Sequence, residues 1–167
     1  MSFIHPDRLS VTLSPVFTDN GLCAFMRATP VKENGTGQTS VQDILSAQPH
    51  LAAPMVDLFV AQLMEKHQLG ALPIAVRLPH LGTEAVDWCD LFSRLEAADA
   101  SFLLELDGTD MLAAPVEAAS LIAAAKNYNL DVYAVADTTA DMRAFTLLGA
   151  KGLIAGDMVF TAKPVVM

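Results

Sequence analysis

The sequence predicts an α/β fold whose strands run parallel from about residue 70 onward. Three observations carry that expectation. From there the chain alternates strand, helix, strand, helix, strand, helix, strand. Each strand candidate is a short apolar run, as in Phe102-Leu103-Leu104-Glu105-Leu106 before Asp107-Gly108, too brief for a helix. Consecutive strands are separated by stretches with helical spacing, which implies right-handed crossovers between parallel neighbours. A complete eight-unit barrel takes about 250 residues and is rarely under about 200. With 167 residues and about six strands, the chain makes an open sheet or a barrel with pieces missing. No repeat, low-complexity tract or linker divides it, so residues 1–167 read as one domain.

The elements follow in order. Residues 9–17 alternate apolar and polar side chains, a strand pattern, and Leu22 to Met26 form a second apolar run. Asn20-Gly21 between them is the strongest short hairpin signal, so these two strands should be antiparallel. Pro15 suits an edge strand. Ala28 to Thr39 reads as a polar loop. Ser40-Val41-Gln42-Asp43 resembles a capping box, and Pro54 opens a helix over about 54–67. A third strand covers Leu72 to Leu78. A helix from Thr83 turns Val86, Leu91, Phe92 and Leu95 inward. The strand at 102–107 comes next, then an Ala-rich helix from Pro115 to Tyr128. Asp131 to Ala136 form a fifth strand, a helix capped by Thr138 to Asp141 stops at Gly149, and Leu153 to Ala155 form the last strand.

Composition excludes several function classes. The net charge is −9 with 10 Lys+Arg, which gives no basic surface for a nucleic acid and disfavours anionic membranes. Although 53% of residues are hydrophobic and mean hydropathy is +0.39, no run approaches the roughly 18 apolar residues of a membrane span. Met1 to Arg8 lacks the pattern of a signal peptide. Cys23 and Cys89 have no metal spacing, and with no leader they suggest a reduced, cytoplasmic protein. Cys23 in an apolar strand reads as a small buried hydrophobe. His5, His50, His67 and His80 are scattered without ligand spacing, so neither a metal nor another cofactor is expected.

Polar chemistry concentrates at one strand end. A strand repeats every two residues, so Glu105 and Asp107 share one face and Leu104 and Leu106 the other. An acid inside an apolar strand must be paired, hydrogen-bonded, metal-bound or protonated. The plain alternative is that both acids lie at a solvated strand end and cap the next helix. In parallel α/β sheets ligands bind at the strands' C-terminal ends, which makes Glu105 the first residue of interest.

Several patches together resemble the EAL domain of bacterial cyclic-di-GMP phosphodiesterases, in shortened, degenerate form. They are the Asn20-Gly21 hairpin, Cys23-Ala24-Phe25-Met26-Arg27, Ile74 to Pro79, Leu104-Glu105-Leu106, Tyr128 to Asp137, and Phe145 to Gly156 with Phe160 and Pro164. The resemblance implies a shortened or incomplete TIM-like barrel that begins with an antiparallel hairpin. It also implies a site in which carboxylates and an Asn hold two divalent ions. Measured against that pattern, Cys23 replaces the first Glu and Arg77 the Asn. Asp137 stands for the final Glu, Ala155 for a Gln, and the Asp-Asp-Phe-Gly-Thr-Gly signature is absent. Only Glu105 matches securely, and one carboxylate cannot hold two hard cations, which take about six oxygens each.

The resemblance therefore implies no phosphodiesterase activity. It implies a regulatory or adaptor protein working through protein contacts, with a cyclic-di-GMP receptor that does not hydrolyse its ligand as the alternative. Arg27, Arg77, Glu105, Asp107 and Asp137 are the candidate binding residues. Arg27 either grips a phosphate or neutralises Glu105 or Asp137 inside the mouth, with Arg77 joining the cluster. Missing strand–helix units should leave edges or a seam exposed, which predicts a homodimer or a covering partner.

Overall fold

The computed structural model describes residues 9–34, 37–40, 72–78, 88–97 and 101–161. The chain begins with β1 (Leu9–Phe17) and β2 (Cys23–Asn34), antiparallel over nine residue pairs from Leu9↔Lys32 to Phe17↔Cys23. Their turn is the expected Asn20-Gly21 hairpin. Gly21 takes φ 84°, a left-handed conformation that an L side chain resists, and its N–H donates to the Thr18 carbonyl at 3.0 Å. Next come β3 (Gly37–Ser40), β4 (Ile74–Arg77), α1 (Trp88–Ala97) and β5 (Phe102–Asp107). They are followed by α2 (Gly108–Ala113), α3 (Pro115–Lys126), β6 (Val132–Val135), α4 (Met142–Leu147), β7 (Gly152–Ala155) and β8 (Met158–Thr161).

These strands form one eight-stranded sheet in the order β1-β8-β7-β6-β5-β4-β2-β3, and a further β1–β2 pairing closes it. With β3 attached outside on β2, the remaining seven strands make a closed, mixed barrel. β2, β4, β5, β6 and β7 are parallel neighbours, whereas β8 folds back antiparallel on β7. A shortened barrel opened by an antiparallel hairpin is the expected architecture. The ring is not left open, so the expected gap is corrected. β8, at the segment read only as a tail after the last strand, meets β1 at Phe17↔Met158, and the Phe17 N–H donates to the Asp157 carbonyl at 2.7 Å.

Pro15 fits this arrangement. Backbone groups alternate sides along a strand, and the Phe17 N–H points away from β2. The nitrogen of residue 15 lies on that same outer side, where a proline removes no β1–β2 hydrogen bond.

Alternation splits each strand between two cores. Outward side chains, including Ile74, Val76, Phe102, Leu104, Leu106, Val132, Ala134 and Leu153, pack beneath the helices. The helices answer with Leu91, Phe92 and Leu95 of α1, Leu121 and Ile122 of α3, and Phe145 of α4. Inward side chains, namely Val16, Phe25, Ala75, Leu103, Tyr133, Ile154 and Val159, fill the barrel.

Other expectations need adjustment. The stretch Ala28 to Thr39 is not a loop. β2 runs on to Asn34 and β3 pairs with it from Asn34↔Gly37 to Val31↔Ser40. α2 was not expected, because Gly108 read as a strand stop. The helix ending at Gly149 does so with φ 109° at that glycine. Cys23 is exposed rather than buried. The capping box after Ser40, the helix at 54–67, and Thr83 and Val86 lie outside the described residues.

Tyr133 lines the barrel against Phe25, with ring centroids 5.5 Å apart. Glycine is required at 152, since an added Cβ there would collide with the Phe160 carbonyl and come within 3.2 Å of the Tyr133 ring. Burial pushes the Tyr133 phenol above its usual 10.0; nearby Lys151 opposes the rise and Asp131 adds to it. Lys151 is itself raised, chiefly by its hydrogen bond to Asp131. For both groups the folded state holds the proton more tightly than the unfolded chain. Their contribution is therefore complete below the unfolded values and is lost as pH rises through the folded ones. We expect the thermal midpoint to fall above about pH 10. A late phenol phase in an alkaline absorbance titration should vanish in Tyr133→Phe. A single ordinary tyrosine phase in the wild type would refute this.

Candidate functional site

The strand alternation that fills the barrel also places charge in its mouth. On β5, Leu103, Glu105 and Asp107 face inward, and the register aligns Glu105 with Arg77 on β4 and Tyr133 on β6. β2 supplies Arg27, two positions beyond Phe25 on the inner face. Its register partner Ala75 carries a small side chain on the intervening strand.

Glu105 is 1% exposed and is the buried charged residue of the described core. Its Oε2 accepts from Arg27 Nε at 2.9 Å. Arg77 Nη2 stands 3.6 Å from Oε1, close enough for an ion pair but too long for a hydrogen bond. Arg27 reaches further still, since its Nη1 donates to the Gly156 carbonyl at 3.0 Å. One guanidinium thus joins β2, β5 and the β7–β8 turn. Among the described residues, Arg27 Nη2 and Glu105 Oε1 are buried without a hydrogen-bond partner.

Asp107 takes a different role. Its Oδ1 accepts from the Thr109 N–H at 2.8 Å and the Asp110 N–H at 3.2 Å, so it caps α2. The capping reading therefore holds for Asp107, while Glu105 is buried and ion-paired. Asp137 lies exposed in the connection between β6 and α4, outside the Arg27–Glu105–Arg77 cluster. Of the five candidate residues, the fold brings three together.

The residue not foreseen is Gly156, which contributes a backbone carbonyl. Its φ of 61° bends the chain between β7 and β8. A Gly-Asp pair between two short apolar runs was the available turn signal. Among the described residues no group of three or more His, Cys, Asp or Glu is placed to hold a metal ion. Nor is any described helix long and apolar enough to cross a membrane.

No family model and no curated protein matches the sequence. Solved structures do match. The S helix-GGDEF-EAL portion of Vibrio cholerae LapD, bound to c-di-GMP, superposes with TM-score 0.68 at 12% identity, covering 90% of this chain and 39% of that one. The EAL domain of Xanthomonas citri FimX, in complex with c-di-GMP, gives TM-score 0.57 at 13% identity over 88% of this chain and 63% of that one. Bacillus subtilis YkuI, a protein with an EAL domain in complex with c-di-GMP and calcium, gives 0.59 at 10% identity over 89% and 41%. The chain thus spans well under two thirds of the LapD chain. The fold is that of an EAL domain, and at 167 residues it is a shortened one.

Proposed function

We propose that this protein is a non-catalytic, EAL-fold regulatory domain of bacterial cyclic-di-GMP signalling, acting in the cytoplasm through contact with another protein. The observation that carries the reading is the company kept by Glu105. Its carboxylate is engaged by Arg27, with Arg77 as a second cation beside it. Two guanidiniums repel a divalent ion, and the second inward acid of β5, Asp107, is committed to a helix cap. Two-metal hydrolysis needs several oxygen ligands around ions held a few ångströms apart. LapD and FimX, both solved with c-di-GMP, support the signalling context.

A second reading, a receptor that binds cyclic-di-GMP without cleaving it, draws support from Arg27 Nη2, which retains a donor. One set of assays separates the readings. Incubation with cyclic-di-GMP and Mg²⁺ or Mn²⁺ should give no turnover, and clear hydrolysis would overturn both. Calorimetric binding that is lost in Arg27→Ala favours the receptor; absence of binding favours the adaptor. The partner includes a second copy of this chain. A clean monomer in sedimentation at high concentration would remove that part of the proposal.

A further inference from the structure

Closure of the barrel leaves one strand edge open above it. Among the described residues, β8 meets β1 only at Phe17↔Met158. β1 nevertheless runs back from there to Leu9, its other side paired with β2 along its whole length. Its outer side faces no described strand from Leu9 to Pro15. Backbone groups alternate sides along a strand, and the Phe17 N–H points outward, to the Asp157 carbonyl. By the same alternation Leu13, Val11 and Leu9 turn both N–H and C=O outward. Pro15 shares their side but has no N–H, so the open stretch ends there.

An open edge is normally protected by charge, proline or a bulge. Leu9 to Leu13 has none of these; Pro15 blocks only the end nearest β8, and the irregularity of the β1–β2 register falls at Val16/Phe17. Two features name the occupant. The outward groups of Leu9, Val11 and Leu13 are symmetric about Val11. A two-fold axis there pairs two copies antiparallel, residue 9 with 13, 11 with 11 and 13 with 9, each pair exchanging both of its backbone hydrogen bonds. The seam is also neutral. Leu9 to Phe17 carries no charged residue in a chain of net charge −9, so a second copy meets no like charge along it. Charges elsewhere are screened within about 8 Å at physiological ionic strength. We propose that the outer edge of β1, from Leu9 to Leu13, joins two copies of this chain by continuing β2-β1 of one into β1-β2 of the other. This rests on the proposed partnership with a second copy and gives it a surface.

Sedimentation of the full chain at high concentration and about 0.15 M ionic strength reads the association. A dimer of the weak class is expected, because a ladder this short buries less than the roughly 1,200 Å² of a standard interface. Val11→Pro removes an outward donor and, like Pro15, no β1–β2 hydrogen bond. It should keep the circular dichroism of the wild type and weaken dimerisation at least about tenfold. A cysteine trap gives a second readout, which decides alone if Val11→Pro does not fold. Across the two-fold axis the Cα atoms of residue 11 would stand about 5.5 Å apart, within disulfide range. With Cys23 and Cys89, both exposed, changed to Ser, Val11→Cys should therefore cross-link on oxidation. Leu9→Cys should not, since residue 9 of the second copy would lie roughly 14 Å away along the strand. A dimer that survives Val11→Pro, or that cross-links equally at both positions, would overturn this edge and leave the second copy bound through another surface. A monomer throughout, its edge covered by the chain's own residues or by another protein, would overturn both. Neither result bears on catalysis, which the turnover assay decides separately.

Discussion

Glu105→Ala is expected to lower folding stability by about 3–5 kcal/mol, because removing one partner of a buried ion pair strands the other. Arg27 Nε would lose its acceptor at 2.9 Å, and Arg77 would face Arg27 with no anion between them. For a chain of this size the thermal midpoint should drop on the order of 10 °C. Glu105→Gln keeps the volume and an acceptor oxygen for Arg27 but removes the charge, so it should cost less than Ala. The paired change Arg27→Met with Glu105→Leu should recover most of the loss, since an apolar pair of similar volume often replaces a buried ion pair without penalty. Chemical denaturation of the four proteins measures this directly. A loss below about 1 kcal/mol in Glu105→Ala would mean that the pair behaves as a solvated one.

Such a pair is half legible in a sequence, and the reasons are physical. Glu105 stands out because an acid inside an apolar strand must be compensated, and strand alternation puts it on the inner face. Asp107 precedes Gly108-Thr109-Asp110, where a capping acid is a plain local reading. What binds Glu105 is not local. Arg27 lies 78 positions away and reaches it because β2 and β5 are the two neighbours of β4, across the small Ala75. That strand order belongs to the whole sheet, and no single residue encodes it. β8 was missed because Met158 to Thr161 is four residues long and pairs antiparallel in a parallel context. The upper part of β2 and β3 was missed because it extends past the parallel pairing of β2 with β4, which ends at Ala28↔Val76. Hydrophobic patterning reports burial, and Lys32 to Gln38 carry no apolar side chain, so a strand there leaves little trace in it.

Phe145→Ala is the second large effect, at about 3–5 kcal/mol, and it shows how α4 supports the same strand ends. The ring is 1% exposed and belongs to the core between helices and sheet. It also lies directly over Gly108, where an added Cβ would come within 2.7 Å of Phe145 Cζ and 2.9 Å of the Val135 carbonyl. Gly108 follows the capping Asp107, so the closeness of α4 depends on a residue without a side chain at the start of α2. Gly108→Ala alone should therefore cost about 1–3 kcal/mol through overpacking. In the Phe145→Ala background the ring is gone and only the backbone contact with Val135 remains. The two changes should then be less than additive, with a coupling of about 1 kcal/mol. Strict additivity would mean that the Val135 carbonyl, not the Phe145 ring, sets the limit at position 108. Because the new methyl partly fills the space left by the ring, the double variant should lose less stability than the sum of the two single losses.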